Sequence, residues 1–461
     1  MIKILKDKLL KKAKLSDYFK ADVAFQRSIS RKSLVLMGIG GVIGSGIFIL
    51  PGIVAAKHAG PAIIVSFVIA AIVCALATMC YAEFASALPV SGTAYSYGNI
   101  IFGQFAGWII GWALVLEYML GVATVSSGFS AYFKLLLDNF NIHMSAALTG
   151  PFNPAQGTYI NLPAIIIVLL IYFMLLLGTK QSTALNNFIV IVKITIIVVF
   201  IVVGFFKINP ANWHPFMPFG VGGVIKGAYL VFFAYMGFDI IAAAAPEVKD
   251  PERNIPFGVI ATTSICAILY ILVALVLTGM VYYKHLDVNA PVPYALSQVG
   301  LKFMIPFINI GALAGMISMM MATMYGGSRL IFSLGRDSLL PHALSKVNPK
   351  DHLPVLSLTI ITIIIVILGG FVPLDQLTNI VNIGTLISLV FISFGIIPLR
   401  HRKDIKNEGY QVPFYPYLPI LSGILCITLM LNVNPIAWIA AGIWFVIGII
   451  IYFTYGIKHS Y

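Results

Sequence analysis

Five glycines fall within nine residues in Gly38-Ile39-Gly40-Gly41-Val42-Ile43-Gly44-Ser45-Gly46-Ile47-Phe48. The stretch lies inside an apolar run at 34–56, and Pro51-Gly52 follow. Each glycine costs a helix interior about 1 kcal/mol relative to alanine. Non-helical backbone survives in hydrocarbon only where protein or a water-filled cavity covers it. The spacing predicts a break at Gly44-Ser45-Gly46 between two half-helices, whose free N–H groups can hold a carboxylate. Close helix packing is the alternative, because Gly40 with Gly44 and Gly41 with Ser45 stand at small-residue spacing.

Four charged residues sit inside apolar runs and suggest further chemistry. Lys193, in Ile191-Val192-Lys193-Ile194-Thr195, lies deep in its run. A lysine there must snorkel, pair or exchange its proton, which makes it a candidate proton site or a structural charge holding the carbonyl end of a broken helix. Glu117, in Leu116-Glu117-Tyr118, can complement an ammonium, relay a proton or make an interhelical hydrogen bond. Asp239 reads as a helix-end or packing group, and Glu83 as a structural residue near the end of its run.

The elements that must position these groups are membrane spans. The chain has 461 residues, 60% hydrophobic and 10% charged, with mean hydropathy +0.97. That excludes a soluble domain of this length. Apolar runs of spanning length recur near 34–56, 61–87, 105–134, 162–179, 186–206, 222–245, 257–283, 306–334, 355–372, 377–398, 417–432 and 436–455. The expected fold is an all-α polytopic membrane protein with twelve transmembrane helices.

The net charge of +13 does not point to nucleic acid, because the basic residues gather in particular loops. Ten of the 29 lysines and arginines lie in the basic segment 1–33. That segment is either an interfacial helix or a solvated tail, and the first apolar run is too long for a cleaved leader. Most other basic residues fall on the same side. Lys57, Lys134, Lys207, Lys226, Lys284 and Lys302 fall on the other, so both termini are expected in the cytoplasm. Cys74, Cys80, Cys266 and Cys426 lack metal-ligand spacing and read as small core residues. The sixth run, Phe232-Phe233-Ala234-Tyr235-Met236-Gly237-Phe238-Asp239, is also interrupted. Two interrupted runs five apart imply a five-plus-five inverted repeat, 34–206 and 222–398, with two additional helices at 417–455.

These stretches resemble the amino acid–polyamine–organocation transporter superfamily, and in particular bacterial members of the cationic amino acid transporter family. Three motifs carry the resemblance: Gly40 to Phe48; Phe232 to Asp239 continuing through Glu247-Val248-Lys249-Asp250-Pro251-Glu252-Arg253-Asn254-Ile255-Pro256; and Ser328-Arg329 with Arg336-Asp337-Ser338-Leu339-Leu340-Pro341. Pro246-Glu247 stands where the family usually has two acids. The resemblance implies alternating access and an L-amino acid gripped at its backbone atoms. Amides around Gly44, Ser45 and Gly46 would face the carboxylate. Carbonyls of Ile43, Phe233, Ala234 and Met236 would face the ammonium. Phe233 would gate the site, with ordinary packing as its alternative, and Met320 would face the side-chain pocket unless it is a plain core methionine. Lys193 would stand where sodium-driven relatives bind sodium and, when charged, would neutralise carbonyls at broken ends of the first and eighth spans.

The expected function is therefore a proton-coupled amino acid symporter in the cell membrane, with exchange as the alternative. Its partners would be amino acid, protons and membrane lipids, with no nucleic acid, metal or cofactor. A membrane enzyme is disfavoured because no metal-binding histidine spacing or P-loop lysine is present. A channel is disfavoured because no filter-like repeat is present.

Overall fold

A computed structural model of the chain describes residues 12, 13, 27, 29–90, 93–176, 182–348, 353–405 and 408–459. The expected interfacial helix of segment 1–33 falls largely outside them, as do Lys180 and His352.

Among the described residues the protein is helical, with only isolated β-bridges. Lipid enforces this, because a backbone without water must satisfy its own polar groups. In chain order the helices are α1 Arg31–Val42, α2 Gly46–Val54, α3 Ile63–Ala87, α4 Thr93–Ile101, α5 Gln104–Asn139, α6 Leu162–Leu176, α7 Ser182–Phe205 and α8 Gly220–Phe232. They continue as α9 Ile240–Ala243, α10 Pro251–Met280, α11 Pro291–Gln298, α12 Ile305–Arg336, α13 Val355–Phe371, α14 Leu374–His401, α15 Tyr417–Met430 and α16 Pro435–Ile451.

Eight helical stretches are long and apolar enough to cross a membrane, and α6, α13 and α15 are shorter apolar helices. One of the eight is Gly46–Ala87, 42 residues long. At 1.5 Å per residue such a stretch is roughly 60 Å, about twice the hydrocarbon thickness. It is divided by a π turn at Ala55–Ala59 and a 3-10 turn at Gly60–Ala62, with Gly60 at φ 63°. A Cβ at Gly60 would also lie 2.3 Å from the Pro218 ring.

The helix α5 is the central post: 94% of its most apolar window is buried, against 22% for the stretch containing α16. It packs against α12, α14 and α13, while α10 packs on α3. The rim helix α16 is pinned to α5 by tryptophans. The Trp112 indole donates to the Trp444 carbonyl (2.8 Å), the Trp444 indole donates to the Trp112 carbonyl (3.0 Å), and Trp108 donates to the Gly448 carbonyl (3.0 Å). The rings stack, with centroids 4.4 Å apart for Trp112–Trp444 and 5.2 Å for Trp108–Trp112.

Both described ends of the chain lie on one face. Ile29 pairs with Glu247 and Lys249 in an isolated bridge, and Ser86 on α3 donates to the Glu252 carbonyl nearby. Glu83 on α3, fully buried, holds Arg400 on α14 through two contacts of 2.8 Å. The Val412 amide donates to Glu83 at 2.6 Å, and Arg400 donates back to the Val412 carbonyl at 2.9 Å. Arg402 reaches the Ile100 carbonyl, Tyr95 donates to Asp337, and Gly456 lies against Leu339.

Breaking a buried ion pair from one side typically costs about 3 kcal/mol or more, because it strands the other charge. Arg400→Ala should therefore lower the apparent melting temperature of the purified protein by many degrees. Glu83→Gln combined with Arg400→Met should lower it less. Equal losses in the two proteins would show that the charge pair is not what holds α14 to α3.

Candidate functional site

The helix α1 begins with Ser30, whose hydroxyl accepts from the Ser33 amide at 3.4 Å. It ends at Val42. Ile43 is extended (ψ 96°), and α2 starts at Gly46 with Ser45 as its N-cap residue. The Phe48 and Ile49 amides both bond to the Ser45 carbonyl. The amides of Gly46 and Ile47 precede that first turn and point from a helix N-terminus, where an anion is favoured.

Four oxygens at the carbonyl end of α1 have donors. Ile39 accepts from the Ile43 amide (3.0 Å) and Val42 from the Tyr270 hydroxyl on α10 (3.2 Å). Lys193 on α7, fully buried, donates to the Gly40 carbonyl (3.0 Å), the Ile43 carbonyl (2.9 Å) and the Ser318 hydroxyl on α12 (3.4 Å). Ser318 in turn donates to Gly40 at 3.3 Å. An ammonium has three donors, and here three uncharged oxygens meet them. No carboxylate pairs with Lys193 among the described residues. One expectation is corrected. The eighth span is the unbroken helix α12, so it contributes a side-chain hydroxyl to Lys193 rather than carbonyls from a break.

The second interrupted segment leaves α8 through a 3-10 turn at Phe233–Tyr235, extends at Met236 (ψ 156°) and turns at Gly237 (φ 101°) before α9. The two breaks touch through their backbones. A Cβ at Gly46 would lie 2.8 Å from the Ala234 Cα, and one at Gly237 would lie 2.6 Å from the Gly41 carbonyl. The glycines therefore serve both readings at once: Gly44 lies in the break, and Gly41, Gly46 and Gly237 permit close approach.

The structure brings together Ile43, Gly44, Ser45, Gly46, Ala234 and Lys193. Phe233, Ala234 and Met236 are buried, and the Phe233 carbonyl accepts from the Met236 amide at 3.2 Å. Met320 is fully buried and lines neither cavity described below. The methionine against the break is Met319, whose Cγ would be 3.1 Å from a Cβ at Gly44. Glu117 belongs to a different cluster. Its neighbour Tyr118 donates a short hydrogen bond to Asp239, and among the described residues one oxygen each of Glu117 and Asp239 has no partner, nor does the Tyr81 hydroxyl. Ser318 and Met319 had escaped the sequence reading. Ser318 offers one signal, a serine one turn after Gly315 in an apolar helix.

Two cavities of about 440 Å³ each flank the break. One opens on the face of the chain ends and is lined by Ser33, Asn186, Glu247, Ser318, Tyr325 and Arg329. Arg329 pairs with Glu247 at 3.5 Å and lies 4.4 Å over the Tyr325 ring. The other opens on the opposite face and includes Ile49, Gly128, Lys134, Asp138, Asn161 and Tyr294. Its floor adjoins the break, since a Cβ at Gly128 would lie 2.8 Å from the Ser45 Cβ. Residues of the break region thus reach both cavities: Ser318 lines one and Ile49 the other.

A family profile described as amino acid permease matches residues 29–456. The chain is 44% identical to the methylthioribose transporter of Bacillus subtilis, over 94% of each chain. It is 40% identical to the branched-chain amino acid permease BcaP of the same organism, over 99% of each. It is 32% identical to the vacuolar cationic amino acid transporter 4 of Arabidopsis thaliana, over 81% of this chain and 63% of that one.

The contact between the breaks yields a stability test. An alanine methyl at Gly46 meets the Ala234 backbone at 2.8 Å, whereas one at Gly44 meets only side chains and at longer range, Met319 Cγ at 3.1 Å and Val125 at 3.4 Å. Overpacking that only backbone movement can relieve costs about 1–3 kcal/mol. Gly46→Ala should lower the apparent melting temperature clearly more than Gly44→Ala. The reverse order would place the close approach elsewhere.

Proposed function

The chain belongs to the amino acid permease family, and on that premise we propose that it is a proton-coupled amino acid symporter working by alternating access. It is a multi-pass membrane transporter rather than an enzyme. In our reading it has twelve spans in the cell membrane, with both termini cytoplasmic. Residues 34–206 and 222–398 form inverted repeats, and 417–455 lie outside them.

The observation that carries the reading is Lys193, a buried ammonium that holds the Gly40 and Ile43 carbonyls of the first break and the Ser318 hydroxyl of α12. Charged, it ties α1 to α7 and α12. Neutral, it gives up part of that hold and lets the segments separate. A proton can drive the change because its affinity differs between the two arrangements. The cavities on either side of the break are the two access routes this scheme requires.

The substrate carboxylate is assigned to the amides around Gly44, Ser45 and Gly46, and the ammonium to carbonyls of Ile43, Phe233, Ala234 and Met236. Because Ile43 already accepts from Lys193, the proton site and the substrate site share one carbonyl. Phe233 is assigned as the gate, Met320 to the side-chain pocket and Glu117 to the charge complement of the substrate. The grip suits an amino acid. A sugar thioether such as the substrate named for the Bacillus subtilis relative has neither a carboxylate nor an ammonium to offer.

A thermal-shift screen of the purified protein against the twenty amino acids and methylthioribose names the substrate, because a ligand bound only by the folded state raises apparent stability. A response to methylthioribose alone would overturn the amino acid assignment. Uptake of the labelled ligand into proteoliposomes then tests coupling. The unmodified protein should concentrate it when the outside is made acidic. Lys193→Ala should lose that accumulation while retaining binding, and Lys193→Arg should lose it too, since arginine keeps its proton. Gradient-driven accumulation by Lys193→Arg would move the proton site elsewhere, with Glu117 next.

A further inference from the structure

We propose that the cavity on the face away from the chain ends is a staging subsite for a neutral aliphatic amino acid, taken up before it reaches the break. The inference rests on the transport reading above and adds a second binding position and a substrate class to it.

The cavity has three parts that match such a molecule. Its lining contains one cation, Lys134, and one anion, Asp138. They stand four residues apart on α5, so their side chains rise from the same face of the helix. Lys134 has no anionic partner among the described residues, and Asp138 is held only by the exposed ring of His143, at 3.1 Å. A solvent-exposed pair of this kind is weak and readily exchanged for a ligand. Lys134 suits the α-carboxylate and Asp138 the α-ammonium.

The second part is Asn161. It lines the same cavity, is 4% exposed, and its side-chain amide oxygen has no partner among the described residues. Buried amides are normally satisfied, so an orphan at a cavity wall marks a place where a further polar group is expected.

The third part is aliphatic. Ile49, Leu135, Val288, Pro293, Ile305 and Leu374 supply the apolar wall, and the other polar groups of the lining, such as Thr149, Asn289 and Ser297, are uncharged. With Asp138 as the sole acid in the lining, a lysine or arginine side chain would find no second carboxylate. A volume of about 440 Å³ falls within the usual range of small-molecule sites, about 300–1,000 Å³. The floor, at Ile49 and Gly128, adjoins Ser45. A molecule leaving this cavity inward therefore arrives at the break itself. The loop at Val288–Ala290 and α11 form the cover, and α11 sits on α2 where Gly52 leaves room for Pro291.

The test uses the buried state of the four native cysteines. Ser297, half-buried in the cavity lining, is replaced in Ser297→Cys, and the rate of its alkylation by a maleimide is followed on the purified protein with and without L-isoleucine. Isoleucine should slow alkylation several-fold, and L-lysine should slow it far less. Adding Lys134→Gln or Asp138→Asn should abolish the protection, while isoleucine still raises the apparent melting temperature through the inner site. Protection that survives both substitutions would overturn the subsite. So would an absence of protection in a protein that takes up isoleucine. A chain that takes up no amino acid at all would instead remove the transport reading, and the subsite with it.

Discussion

A helix that stops in the middle of a membrane leaves carbonyls with no water to take them, and each would cost several kcal/mol if left unpaired. The rest of this structure depends on how α1 meets that constraint. The oxygens of Gly40, Val42 and Ile43 are taken by a lysine from α7, a serine from α12 and a tyrosine from α10. Three helices far apart in sequence are thereby committed to one point. An uncharged donor could satisfy one or two of these oxygens. The Lys193 amine satisfies two and reaches the serine as well, so one side chain joins the break to both α7 and α12.

The second break is seated by shape rather than by charge. Gly237 adopts a φ of 101°, a conformation that L side chains rarely enter, and its Cα lies against the Gly41 carbonyl. Gly46 lies against the Ala234 backbone in the same way. Main chain packed on main chain fixes how the two half-helix ends meet, through positions that do not depend on rotamers, while the Met319 and Val125 side chains close on Gly44.

Much of this was legible in the sequence, for reasons that differ from residue to residue. Gly38 to Gly46 could be read because glycine in a span has a known cost and few uses. Lys193 could be read because one charge deep in an apolar run requires an explanation. The partner of Lys193 on α12 could not, since the spacing of Gly315 and Ser318 marks a face of small residues without telling which way an unbroken helix turns it. The methionine against the break is Met319, one position and about 100° of helix rotation from Met320, a difference that only the register of α12 decides. Glu83 reads from the sequence as structural, and in the fold it is buried in an ion pair. Its partners Arg400 and Val412, however, lie more than three hundred residues away and were beyond reach of any local pattern.

The tryptophan seam between α5 and α16 has a spectroscopic consequence. Trp108, Trp112 and Trp444, three of the chain's five tryptophans, form one stack, with the central pair only 4.4 Å apart. Indoles at that separation couple as chromophores. The seam at the rim of the bundle should therefore add an exciton contribution to the near-ultraviolet circular dichroism of this protein. The Trp112–Trp444 part of that signal disappears when α16 comes away from α5, even while the helices themselves persist, whereas the Trp108–Trp112 pair, both on α5, stays. The part that is lost is a built-in optical gauge of whether α16 is docked, and it is silent about the break.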